Sequence, residues 1–560
     1  LSQEKKQLPE TRRGQQKDHL GIITQGSLSS ALEMRLDPAR SVEELRVGRF
    51  VVIDGKQARF FSMLTDVTLS TTNPQILTNP PQDDQFMLDV LAGTSTFGTV
   101  KVQPMLMLEK SSDAPELRPV KTVPSHFSSV YEANANDFAL VFGKENDADK
   151  NDPHFNIGCP LNMDIPICLD LGRFIERSNG VFGKSGTGKS FLTRILMCGV
   201  MKKDLASVLI FDMHNEYGWQ AMSESKSAPR VKGLKQLFGN DVVVFSLDSE
   251  SSKARGIPDA HELFIGYDQI EIEDLELLRS ELALSEATLE NAYIVKEHLG
   301  NDWIRVLLEM SGEEIEQFVE THKGHPTAIK TLQRRLNTVV QKTSYLRPRA
   351  PRNYIDEILQ YIQAGKHVVL EFGRQNNLLS YMLATNVITR RIHARYVAMS
   401  EKYIANPEKV AAPRKLMIVI EEAHKFLAPA VAKQTIFGII AREMRKYFVT
   451  LLVVDQRPSG IDPEILSQIG TRVTALLNDD KDIDAVFTGV SGSQTLRTVL
   501  AQLDPKQQAL VLGYAVPMPV VVRIRPFDEQ FYKAMSPGAV AETNGERKQR
   551  ASRAQAELFG

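Results

Sequence analysis

The chain has 560 residues, 42% hydrophobic and 24% charged, a balance that supports sizeable cores spread over several domains. A formal net charge of -2 excludes a globally basic coat, so any contact with nucleic acid has to be local. No apolar run reaches the roughly 18 residues of a membrane span, the polar opening LSQEKKQLPETRRGQQKDHLG lacks the apolar centre of a secretory signal, and a cytoplasmic protein is expected. Cys159, Cys168 and Cys198 show no metal-type spacing and read as reduced, buried thiols.

Residues 1–20 read as a flexible tail. From Gly21 the segments GIITQGSL, ALEMRLD, RFVVIDG, ARFFSMLTDVTL and TVKVQPMLMLE have the length and alternation of half-buried strands, with a hairpin signal at Asp54–Lys56. Short strands at this spacing predict a small barrel or sandwich over 21–145, ending in the charged break KENDADKNDPH. From about 155 the texture becomes α/β. A strand at Asn179–Phe182 runs into a glycine-rich loop and a helix, Ser190–Lys202, and the strand SVLIFDMH follows. Residues 251–350 carry helical spacing with few strand signals, as expected of a helical insertion. The α/β pattern resumes with HVVLEFG, a long helix over about 378–404, and strands KLMIVIEE, VTLLVVDQ, RVTALLN, QALVLGYA and PVVVRIRPF. Continuous β-branched runs between helices predict a mainly parallel sheet covered on both faces, with core segments 155–250 and 351–527 and a charged helix or tail over 528–560.

The strongest chemical signal is Gly183-Lys184-Ser185-Gly186-Thr187-Gly188-Lys189-Ser190, a complete G-x-x-x-x-G-K-[ST] loop between a predicted strand and a predicted helix. Its glycines let successive backbone N–H groups turn inward around phosphates, and the helix N-terminus adds partial positive charge. Lys189 is then the counter-charge for the β- and γ-phosphates of ATP, and Ser190 is the Mg²⁺ ligand. The strand Leu416–Glu421, continuing into Glu422-Ala423-His424, has the Walker B form. Glu421 stands where Mg²⁺ is oriented, and Glu422 is the candidate to polarise the attacking water.

In Val208–Tyr217, a strand ending in D-x-H-x-E-Y brings Asp212 and Glu216 toward the nucleotide. Asp212 is read equally well as a strand-end turn residue, and His214 as structural, since nothing nearby completes a metal set. Asp455-Gln456-Arg457-Pro458 closes a strand expected beside the Walker B strand, where Gln456 would sense the γ-phosphate. Arg442 and Arg445 precede that strand on a helix, either reaching a neighbour's nucleotide or forming a solvated basic face. Arg177, before the loop strand, is a weaker phosphate-side candidate.

Taken in order, GKSGTGKS, FDMHNEYGW, VIEEAHKFL, IAREMRK and VVDQRPSGIDPEILSQIGTRV resemble the HerA family of hexameric DNA translocases, relatives of the FtsK and VirB4 motors. The resemblance spans most of residues 20–527 and is loose in the helical segment. One small departure is KSGT in the loop, which changes side chains but keeps the glycine spacing. The resemblance implies a RecA-like P-loop core behind a small N-terminal barrel of the kind that opens HerA proteins. It also implies a homohexameric ring around double-stranded DNA, with ATP and Mg²⁺ bound between subunits. One subunit would supply Lys189, Ser190, Glu421 and Glu422, and the next an arginine finger at Arg445 or, second, Arg442. It further implies a partner such as a NurA-type nuclease or a sirtuin-like or nuclease effector, in DNA end processing or antiviral defence. Channel-facing basic residues, with the loop Lys425–Lys433 as one place for them, would reconcile DNA binding with a near-neutral chain. The competing readings are a VirB4-like conjugation or secretion ATPase and a nucleotide-dependent scaffold ring.

Overall fold

The computed structural model describes residues 19–535 apart from 29, 79–84, 92–93, 111–115, 150, 162, 223–229, 258, 434 and 491–492. The expected N-terminal tail therefore lies outside the described residues up to position 18, while His19 and Leu20 already belong to the first strand. Of the expected C-terminal helix or tail, only the helix Glu529–Met535 is described.

Among the described residues, seven strands build the N-terminal part: β1 (His19–Ser27), β2 (Ala31–Leu36), β3 (Phe50–Asp54), β4 (Ala58–Thr71), β5 (Thr96–Glu109), β6 (Leu117–Pro119) and β7 (Ser129–Glu132). They hydrogen-bond in the order β2-β1-β7-β3-β4-β5-β6, and β2 pairs also with β5, so six of them close into a barrel. β5 is long enough for β2 to pair at Leu32↔Val102 and for β6 to add at Leu106↔Pro119. The predicted hairpin turn joins β3 to β4, with Asp54 facing Arg59 and Gly55 N–H donating to the Ala58 carbonyl. β7 was not anticipated. Four residues are too few to reveal a period, yet β7 supplies the closure by pairing with both β1 and β3.

The uninterrupted apolar run of β3 has a tertiary reason. Val51 and Ile53 pack into the barrel interior with Met34, Val100 and Val130. Phe50 and Val52 pack outward with Phe61, Phe138 and Phe155 into a second core shared with the α/β sheet. A strand wet on one face would alternate; one covered on both does not.

The remaining strands are β8 (His154–Cys159), β9 (Ile167–Asp170), β10 (Asn179–Phe182), β11 (Ser207–Asp212), a small hairpin of β12 (Gln220–Met222) and β13 (Arg230–Lys232), β14 (Val242–Ser246), β15 (His261–Glu262), the two-residue pair β16 (Ile265–Gly266) and β17 (Leu346–Arg347), β18 (His367–Glu371), β19 (Leu416–Glu421), β20 (Val449–Asp455), β21 (Thr471–Thr474), β22 (Gln508–Gly513) and β23 (Val520–Ile524). Twelve of them form one sheet in the order β15-β14-β18-β11-β19-β20-β10-β21-β22-β23-β8-β9. The run from β15 to β21 is parallel, and from β22 onward neighbours are antiparallel. The parallel expectation therefore holds for the strands that carry the motifs and gives way at one edge. There β22 and β23 are joined by a connection too short for a crossover. β14, absent from the predicted strands, lies buried between β15 and β18.

Helices Ile272–Leu277, Glu286–Leu299, Trp303–Glu309, Gly312–His322 and Pro326–Lys342 fill the span before β18. Buried Trp303, Leu332 and Leu336 join them to the main core. Asp274, fully buried, accepts from Asn386 at 2.7 Å and from the Arg390 guanidinium at 2.7 Å, tying this layer to the long helix Leu378–Ala405.

Candidate nucleotide site

The loop 183–190 leaves β10 at the carboxyl edge of the parallel strands and feeds the helix Lys189–Lys202. Gly186 and Gly188 take positive φ values of 78° and 93°, in the left-handed region that side chains disfavour. The helix has no side-chain cap at Gly188, so its first-turn N–H groups are free to meet an anion. Lys189 Nζ donates to the Lys184 carbonyl at 3.0 Å, and Thr187 Oγ1 donates to the same oxygen at 2.7 Å. The lysine thus rests on its own loop and can leave that carbonyl for a phosphate. Burial pulls its ammonium below the ordinary range, against the opposing pull of Glu422, Asp455, Glu421 and Glu216.

Across the sheet, four neighbouring strands each end on an acid: Glu371 on β18, Asp212 on β11, Glu421 on β19 and Asp455 on β20. All four are buried, and their partners assign them different tasks. Asp212 accepts from the backbone N–H groups of Glu216, Tyr217 and Gly218 at 2.8, 2.7 and 3.1 Å. These three bonds are those of a strand-end turn. Glu371 pairs with Arg255, and its other oxygen lies against Gly218, where a Cβ would come within 2.1 Å. Asp455 accepts from His424 N at 2.6 Å, from His424 Nδ1 at 2.9 Å and from Arg457 N at 2.7 Å. That bond raises the His424 imidazolium above its ordinary range.

Glu421 and Glu371 each keep one buried oxygen, Glu421 Oε2 and Glu371 Oε1, without a hydrogen-bond partner among the described residues. The other oxygen of Glu421 accepts from the Tyr217 hydroxyl at 2.9 Å. Burial pushes the Glu421 acid up to about 8, and the neighbouring Asp212 charge adds to the rise. Tyr381 fixes its backbone, accepting from Glu421 N and donating to Glu421 O at 3.0 Å each.

Glu422 has a φ of 49°, strained for a residue with a side chain. This turn leaves its carboxylate partly exposed, 29% against 7% for the whole of Glu421, and bonded to Gln456 Nε2 at 2.8 Å. β20 stands between the Walker B strand and the loop strand, so Gln456 leaves the sheet between the two.

Other sequence candidates sit further out. Glu216 offers its carbonyl to buried Arg194 at 2.9 Å, with its carboxylate 3.8 Å from the same guanidinium. His214 is exposed. Arg177 lies over the Tyr514 ring at 4.1 Å rather than on the loop. Arg442 lies in the last turn of the helix Ile436–Glu443 with its guanidinium toward the Ala432 carbonyl at 3.5 Å. Arg445 falls in the following 3₁₀ turn, Met444–Tyr447, not on the helix, and its side chain lies outside the described residues. Tyr381 and the His424–Asp455 pair were not anticipated; nothing local in the sequence marks a tyrosine on a long helix as a partner of β19.

The central-domain model described as "Helicase HerA, central domain" matches residues 155–392. Over a wider span, the chain is 24% identical over 439 residues to the DNA double-strand break repair helicase HerA of Pyrococcus furiosus, covering 75% of this chain and 76% of that protein. It is 21% identical over 527 residues to the protein of the same name from Saccharolobus solfataricus, covering 90% and 92%. Across these spans the chain is similar to HerA helicases. The similarity supports a HerA-type protein and an ATPase of the helicase type. Among solved structures, VirB4 of Thermoanaerobacter pseudethanolicus superposes with a TM-score of 0.42 at 14% identity, over 68% of this chain and 98% of that one. No described helix of this chain is long and apolar enough to cross a membrane.

Proposed function

We propose that this chain is a DNA motor that hydrolyses ATP to move along double-stranded DNA as a homohexameric ring beside a nuclease or other effector subunit. The observation that carries the reading is the placement of Glu422. It is a strained, partly open carboxylate held by Gln456, in the same electrostatic neighbourhood as Lys189. The names of the similar proteins, double-strand break repair helicases, supply the polymer.

In this reading Lys189 exchanges the Lys184 carbonyl for the β- and γ-phosphates of ATP, while the N–H groups of the loop and first helical turn surround them. Glu422 takes the proton of the attacking water, and Gln456 releases it and reports whether the γ-phosphate is present. The orphaned Oε2 of Glu421 and the Ser190 hydroxyl are the donors that fit Mg²⁺, which supplies charge neutralisation to the phosphates. Among the described residues no three His, Cys, Asp or Glu side chains are grouped to hold a metal, which suits a cation that arrives with the nucleotide. Arg445, with Arg442 second, would complete the site of the neighbouring subunit. The barrel of residues 21–145 is the place proposed for the partner, and the helical layer 251–350 is proposed as an insertion into the core.

ATP turnover by the full chain, measured with and without linear duplex DNA, tests this. Turnover should rise on adding duplex and vanish in Lys189→Ala. Turnover indifferent to duplex would overturn the motor in favour of a scaffold ring.

A further inference from the structure

Tyr217 is absent from the chemistry derived so far. Its ring is fully buried and lies 5.5 Å from the Arg194 guanidinium, so packing on the helix Lys189–Lys202 fixes where the hydroxyl points. The N–H of Tyr217 is fixed too, donating to Asp212 Oδ2 at 2.7 Å. From that anchored position the phenol donates to Glu421 Oε1 at 2.9 Å, across two strands that are neighbours in the sheet.

The consequence is a carboxylate with a defined front and back. Oε1 is taken by Tyr217, the backbone N–H and carbonyl are taken by Tyr381, and Oε2 remains buried with no partner among the described residues. Leaving a buried carboxylate oxygen unpaired is costly, and it persists where the oxygen has another partner in the working state. We propose that Tyr217 is a positioning residue for the metal of the nucleotide: by holding Oε1 it presents Oε2 of Glu421 to Mg²⁺ and fixes the carboxylate rotamer in advance. The inference rests on the ATPase reading of the loop and adds to it a function for the tyrosine of the D-x-H-x-E-Y strand end.

Second-sphere partners of a metal ligand are commonly worth a factor of about 10 to 100 in metal affinity. The test uses the full chain and Tyr217→Phe, which keeps the buried ring and removes only the hydroxyl. ATP affinity is measured by nucleotide titration in excess chelator and again in Mg²⁺, and turnover is followed as a function of Mg²⁺. The expected result is metal-free ATP affinity within about twofold of the wild type, with the Mg²⁺ concentration for half-maximal turnover raised about tenfold and turnover restored by excess Mg²⁺. In Glu421→Gln, adding Tyr217→Phe should cost little more, since the two act on one oxygen set. An unchanged Mg²⁺ requirement in Tyr217→Phe would overturn the proposal. So would an equal loss of metal-free affinity, because that marks a tyrosine that merely holds the loop. If instead the wild type binds no ATP at all, the reading of the loop fails, whatever Tyr217 does.

Discussion

Gly218 should be intolerant of a single added carbon for a reason specific to this fold. A Cβ at this position would stand 2.1 Å from Glu371 Oε1 and 3.0 Å from its Cδ. The neighbour therefore has to yield about 1.2–1.5 Å to reach ordinary contact. Glu371 cannot easily do so: its side chain is fully buried and its other oxygen is engaged by Arg255. The loop cannot easily do so either, because Gly218 N–H is bound to Asp212. Overpacking of this kind costs about 1–3 kcal/mol, and the lower unfolded-state entropy of alanine returns roughly 0.4–1 kcal/mol. Gly218→Ala should thus destabilise the core by about 1–2 kcal/mol, a fall in melting temperature of roughly 2–6 °C for a unit of this size. The displacement passes to Tyr217 and so to Glu421, which should make turnover more demanding of Mg²⁺. Glu371→Asp withdraws the carboxylate by one methylene, about 1.5 Å, so it should be less damaging in the Gly218→Ala background than in the wild type. Melting curves of the four proteins decide the matter. A Gly218→Ala protein as stable as the wild type, or strictly additive losses, would refute the steric argument.

Glu422→Gln keeps the shape of the side chain and removes its basicity. It should retain ATP binding while turnover falls roughly 100- to 10,000-fold, as single-turnover and nucleotide-retention measurements would reveal. His424→Asn should lose more stability at pH 6 than at pH 8. The histidine is raised in the folded state by Asp455, so its stabilising contribution is complete below its unfolded value near 6.5 and disappears as pH rises through the folded one. Equal losses at the two pH values, read from melting temperatures, would mean that the His424–Asp455 contact carries no ionic component.

Much of this protein is written locally. The loop 183–190 is legible because phosphate binding needs consecutive residues with glycines at fixed offsets, and the apolar strands Ser207–Asp212, Leu416–Glu421 and Val449–Asp455 are legible because burial on both faces removes alternation. The same locality identified Glu421 and Glu422 as a pair. It left open what each of the neighbouring acids does, since Asp212, Glu371, Glu421 and Asp455 look alike as strand-end carboxylates.

Only the tertiary structure separated them. Asp212 is claimed by three backbone donors of its own turn, Glu371 by Arg255 through one oxygen, Asp455 by His424, and Glu421 by Tyr217 through one oxygen, in the electrostatic neighbourhood of Lys189. These partners come from elements as far as 204 residues away in the chain, as Tyr217 and Glu421 are. A hydrogen bond between distant segments leaves no period in either one, so the sequence determined which residues could do chemistry, and the packing of neighbouring strands decided which partner each of them meets.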